Sequence, residues 1–206
     1  MEGKSLFISL EGIEGSGKTT QIKKLASYLS KQGVSTLMTH EPGGTPLGKS
    51  LRKLVLDHQT PLKNTHSEIL LFIADRLEHV DAVIKPALDA GKVVLCDRFV
   101  DSTVAYQQGG RQLPESLVSY LNGLVSIRPH MTILLDISPE EGLRRARERS
   151  ALDRFEKETI DFHQRVRQMY LSLSEKEPHR IKCISIDTLS PEEVFEKLRP
   201  LIDALI

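Results

Sequence analysis

Five short β-rich runs alternate with longer helical patterns along the chain, and this alternation predicts an open α/β fold: a parallel sheet with helices on both faces. A glycine-rich segment, GIEGSGKT at 12–19, stands between the first of those runs and the first helical stretch, at the C-terminal sheet edge where such folds bind ligands. The 206 residues, 39% apolar and 27% charged, suffice for one buried core. No repeat, low-complexity tract or linker marks a second unit, so residues 1–206 read as one domain.

The strand candidates, in order, are Ser5–Glu11, Val34–His40, Lys92–Asp97, Met131–Ile137 and Ile181–Ile186, each a short run rich in β-branched or bulky apolar residues. Between them helical periodicity covers Lys18–Gln32, Thr45–Asp57, His66–Ala90, Pro114–Leu124, Glu140–Glu148, Lys157–Lys176 and Pro191–Ile206. Glycine and proline punctuate the chain at Pro42–Gly44 and Gly109–Gly110.

Lys plus Arg equals Asp plus Glu at 28 each, so no global field draws the chain to nucleic acid or an anionic membrane, and phosphate recognition must be local. The longest apolar stretches, such as Val93–Cys96 and Ile133–Leu135, fall far short of the ~20 residues of a membrane span, and the N-terminus lacks a signal-peptide pattern. A cytoplasmic protein is expected. Cys96 and Cys183 lie in strand-like runs without CxxC spacing, which predicts buried free thiols.

The segment at 12–19 carries the strongest chemical signal. Its glycines, Gly12, Gly15 and Gly17, let the backbone N–H groups of Ile13, Glu14, Ser16 and their neighbours converge on phosphate oxygens. Lys18 supplies a charge to the terminal phosphates of a nucleotide, Thr19 offers a hydroxyl to Mg²⁺, and the helix N-terminus through Thr20 adds its positive end. A chance strand-to-helix turn would not supply all of these with a strand before and a helix after.

No guanine-reading NKxD and no paired-acid strand end accompany the loop, so a small-molecule kinase leads over a GTPase switch or a motor. Asp97 and Arg98 end the third strand: Asp97 suits a Mg²⁺ shell, and the planar fork of Arg98 suits bridging two phosphate groups, against the plainer reading of a strand-end ion pair. Phe72 and Arg76 are four apart on one helix face, an aromatic plane beside a guanidinium donor that suits a planar base; a core Phe beside a solvated Arg is the alternative.

EGIEGSGKTT, EPGGT, LLFIADR, CDRF, AYQQGGR and RARERSALDRFE occur in the order found in bacterial thymidylate kinases, and the resemblance runs essentially end to end. It implies the P-loop NTPase fold with strand order 2-3-1-4-5 and a short lid at about 144–156. It also implies transfer of the γ-phosphoryl of ATP to dTMP with Mg²⁺, in dTTP biosynthesis, by a homodimer. On the acceptor side it implies Phe72 stacking on thymine, Arg76 donating to its O4, Ser102, Thr103 and Gln107 near base and sugar, and Tyr106 crowding C2′. Glu14 would stand near the 3′-OH and the metal, and Arg52 would grip the α-phosphate. Gly15 stands where eukaryotic members carry an arginine, so the resemblance assigns the transition-state cation to the lid, Arg149 first and Arg154 second, beside Lys18 and Arg98. His40 departs from the pattern, since many relatives carry arginine there. A related kinase with another acceptor, or an idle nucleotide-binding module, are the competing readings.

Overall fold

The structure, a computed structural model, describes residues 5–57, 62–149 and 153–206, with the side chain of Arg149 outside the description. Five parallel strands, β1 (Leu6–Glu11), β2 (Thr36–His40), β3 (Val93–Asp97), β4 (Met131–Asp136) and β5 (Ile181–Ser185), form one sheet in the order β2-β3-β1-β4-β5. β1 is central, with Leu6–Leu10 in register with Val93–Asp97 on one side and Ile8–Glu11 with Met131–Leu134 on the other. β1 and β4 are buried throughout, so period-2 alternation is absent there, as expected for a sheet covered on two faces.

The helices are α1 (Lys18–Lys31), α2 (Pro46–Leu56), α3 (Thr65–His79), α4 (Lys85–Asp89), α5 (Val100–Thr103), α6 (Glu115–Gly123), α7 (Pro139–Arg149), α8 (Ile160–Lys176) and α9 (Pro191–Asp203). Side-chain caps at Thr45, Asn64, Thr159 and Ser190 fix where α2, α3, α8 and α9 begin. The cap explains why α8 starts at Ile160 and not at Lys157: the Thr159 hydroxyl accepts from the Phe162 N–H. The expected single helix over 66–90 is α3, a π-helical turn at Val80–Ile84 and α4 in direct succession.

Residues 100–110 form α5 and a π-helical segment, Val104–Gly110, which between them carry Ser102, Thr103, Tyr106 and Gln107. One expectation needs correction. Cys96 is buried but Cys183 is exposed, because β5 is an edge strand on which buried and open positions alternate.

One core packs α1, α8 and α9 against the sheet through Ile22, Leu25, Leu29, Val166, Tyr170, Leu198 and Ile202. A second cluster, Phe7, Val80, Ile84, Val94, Cys96 and Phe99, lies under the π-helical turn. No helix among the described residues is long and apolar enough to cross a membrane.

Candidate active site

At the C-terminal edge of β1 and β3 the chain opens a cavity of about 510 Å³, lined on one side by Glu14, Gly15, Gly17, Lys18 and Thr19 and on the other by Arg52, Phe72, Arg76, Tyr106 and Phe155. The glycine loop forms one wall. Gly15 (φ 71°) and Gly17 (φ 81°) take left-handed conformations that aim successive N–H groups inward. A Cβ on Gly15 would stand 2.0 Å from the carbonyl oxygen of Gly142, so α7 presses on the loop and any side chain there is excluded. This is the physical reason a cation cannot come from that position.

Lys18 is 7% exposed, and its ammonium donates to the Gly12 carbonyl (3.0 Å), the Ile13 carbonyl (2.9 Å) and Ser16 Oγ (3.1 Å). Burial, together with the neighbouring Arg98 guanidinium, lowers its pKa to about 8. The Thr19 hydroxyl donates to Asp97 Oδ2 at 2.6 Å, bringing two hard oxygen ligands to the loop's mouth. Thr20 is exposed on the first turn of α1.

Arg98 follows β3 with φ 70°, a strained conformation for a side chain of its size. The strain is held by a group the sequence reading did not single out. Glu11, fully buried at the end of β1, accepts from the Phe99 N–H (2.7 Å), Ser102 Oγ (2.6 Å) and the Tyr170 hydroxyl (2.8 Å). Burial, with Asp101 nearby, raises its pKa to about 7. An acid closing an otherwise apolar strand was the only available signal for it. Arg98 in turn donates to Gly12 O (3.1 Å) and Glu14 Oε1 (3.1 Å) and covers the Tyr106 ring at 4.8 Å.

Glu14 also accepts from the Tyr106 hydroxyl at 2.6 Å, and Nδ1 of the fully buried His163 stands 3.3 Å from its other oxygen. Burial works against its charge, but His163 and Arg98 outweigh it and hold the Glu14 pKa well below the usual carboxylate range. His163 and Tyr170 come from α8, more than fifty residues beyond the loops they touch, a separation that hides them from motif reading.

Phe72, Arg76, Ser102, Thr103 and Gln107 all line the cavity. Arg76 is 2% exposed and is not the solvated arginine of the plainer reading. It donates from Nε to Glu41 Oε2 (2.6 Å), from Nη1 to Thr103 Oγ1 (2.6 Å) and from Nη2 to the Phe99 carbonyl (3.0 Å). Glu41, the acid of EPGGT, also contacts His79 Nδ1 at 2.9 Å. Arg52 donates to the Pro42 carbonyl at 2.9 Å and lines the mouth beside His40, whose pKa is lowered by burial and by Arg52.

A match to the family model described as thymidylate kinase covers residues 10–198. The chain belongs to the thymidylate kinase family. Thymidylate kinase of Syntrophotalea carbinolica is 50% identical over 188 residues, 87% of each chain, and that of Halothermothrix orenii is 50% identical over 204 residues, 95% of this chain and 97% of its own. The crystal structure of thymidylate kinase from Ehrlichia chaffeensis superposes with a TM-score of 0.80 at 36% identity, over 98% of this chain and 99% of its own.

Within that family setting the lid arginines differ from the rest of the expected set. The Arg149 side chain lies outside the described residues, although its backbone ends α7. Arg154 is not among the residues lining the cavity; its Nε donates to the Val55 carbonyl (2.8 Å) and its Nη1 to Glu68 Oε2 (2.8 Å). Arg144 and Arg145 are engaged with Glu141 and Glu148 along an exposed helix face.

Proposed function

We propose that this chain transfers the γ-phosphoryl group of ATP to dTMP, giving dTDP and ADP. The carrying observation is a single cavity with a phosphate loop on one wall, an aromatic and guanidinium pair, Phe72 and Arg76, on the other, and Arg98 between them. The loop N–H groups and Lys18 hold the donor phosphates, and Arg98 spans donor and acceptor. Phe72 stacks on the base. Arg76, with most of its donors pinned by Glu41, Thr103 and Phe99, offers a fixed N–H edge that suits a carbonyl and refuses an exocyclic amine. Glu14 and Tyr106, joined by one hydrogen bond, orient the sugar, with Ser102, Thr103 and Gln107 around it and Arg52 on the acceptor phosphate.

A phosphate monoester is an anionic nucleophile near neutral pH, so positioning and charge neutralisation do the chemical work without a general base. The paired Thr19 hydroxyl and Asp97 carboxylate fit Mg²⁺, which is bound by few protein oxygens beside substrate phosphates and water. Bound there, the ion would draw charge from the phosphate oxygens. Arg149 and Arg154 are assigned to the transferring group on closure of the lid. Half-exposed Leu47 and Leu54 on α2 and Leu70 on α3 support a homodimer, and two free thiols suit the cytoplasm.

ADP release with ATP and Mg²⁺, compared across dTMP, dUMP, UMP, dCMP, dGMP and AMP, tests the reading. dTMP should lead, and Arg149→Ala should lose turnover while still binding nucleotide. Another leading acceptor would refute the base assignment.

A further inference from the structure

Phe155 lies beyond α7, in the stretch at about 144–156 that the family resemblance reads as a lid. Its surroundings belong to the acceptor side. The ring is 5% exposed, lines the cavity, and leans on Phe72 at 5.9 Å and edge-on to Tyr106 at 5.8 Å between centroids. These are the two rings that flank the acceptor, so the position of Phe155 sets their spacing.

Two guanidinium groups fix the ring: Arg154 lies 4.5 Å and Arg111 5.4 Å from its centroid. Both are held by one carboxylate. Glu68 on α3, 1% exposed, accepts from Arg154 Nη1 (2.8 Å), from Arg111 Nε (3.1 and 3.2 Å) and from Gln107 Nε2 (3.1 Å). Arg111 has a second partner in Glu158 at 2.6 Å, and Arg154 is tied to α2 through the Val55 carbonyl. A carboxylate this deeply buried is tolerated only when paired, so Glu68 and the two arginines form one unit with the ring clamped beside them.

We propose that Phe155 is a positioning residue of the acceptor cleft, a wedge that spaces Phe72 and Tyr106, and that Glu68 latches the wedge in place through Arg154 and Arg111. The inference rests on the dTMP reading of that cleft. It makes residues 153–156 part of the acceptor site, and it gives Arg154 a role in the conformation observed. Without the wedge, Phe72 and Tyr106 lose their lateral support. Acceptor binding and discrimination at C2′ then weaken, while the phosphate loop is unaffected.

The test is calorimetric binding and steady-state kinetics for wild type, Phe155→Ala, Phe155→Leu, Glu68→Gln and the double variant Phe155→Ala/Glu68→Gln, with thermal melts as the folding check. Phe155→Ala should raise Kd and KM for dTMP about tenfold, the scale of a lost aromatic contact, and change KM for ATP less than about twofold. The preference for dTMP over the ribonucleotide UMP should narrow, Phe155→Leu should fall between, and the double variant should be no worse than the worse single one. Unchanged dTMP binding in Phe155→Ala, or in Phe155→Leu should the alanine variant not fold, overturns the proposal. So does a loss falling equally on ATP, or strict additivity of the two substitutions. Wild-type protein that binds dTMP without phosphorylating it overturns the kinase reading alone, because the binding ratios still decide the wedge. Wild-type protein that does not bind dTMP overturns both.

Discussion

Lys18 is a buried cation on the wall of the cavity. Its ammonium donates to the Gly12 and Ile13 carbonyls and to Ser16, and burial, with Arg98 close by, lowers its pKa to about 8. A polyphosphate brings opposite charge and raises that pKa, so binding is linked to proton uptake. The sign follows: ATP affinity is at its full value below the free-state pKa and declines as pH rises through about 8 toward the higher pKa of the bound state. Calorimetry from about pH 7 to 9.5, in buffers of different ionisation enthalpy, should register falling affinity and proton uptake approaching one per site. Constant affinity with no uptake would mean Lys18 stays charged throughout.

Among elements, the π-helical segment Val104–Gly110 is the one on which the site most depends. It brings Tyr106 and Gln107 to the cavity and lies directly against α8. A Cβ on Gly110 would come 2.5 Å from the Phe162 ring and 2.9 Å from Val166. Gly110→Ala should therefore push α8, which carries His163 and Tyr170, away from the site. A loss of about 1–3 kcal/mol, the scale of overpacking, is expected in denaturant melts, with a rise in KM for dTMP. Unchanged stability would mean the two elements part without cost.

This segment also marks the limit of what the sequence displays. The five strands and seven long helical stretches were legible because burial and periodicity reinforce each other, and the loop at 12–19 because its spacing is dictated by phosphate geometry. VAYQQGG carries no 3.6-residue apolar stripe, since Tyr106 and Gln107 face the cavity and its glycines face α8. Its helical form comes from packing, which pattern reading does not see. Phe155, Glu11 and Tyr170 were hidden for a related reason: each acts through partners brought close only by the fold, as with Tyr170 and Glu11, 159 positions apart.

For the whole molecule, α3 connects the site to the surface. Phe72 and Arg76 face the cavity, Glu68 holds Arg154, and Leu70, 54% exposed, faces outward beside α2, where Leu47 and Leu54 are 49% and 56% exposed. Leu47 and Leu54 are two turns apart and so share one face of α2, as residues of a helix–helix seam do. If a second copy covers this surface, charge placed there should break the pair, since an unpaired carboxylate at the centre of an apolar interface is strongly unfavourable. Leu54→Glu with Leu70→Glu should elute and scatter light as a monomer of 23.1 kDa in place of a dimer. Because Leu70 and Phe72 ride on the same helix, the monomer should also show a raised KM for dTMP with ATP binding retained. A double variant that stays dimeric would assign the interface to another surface, with the exposed Tyr120 and Leu124 at α6 next to be substituted.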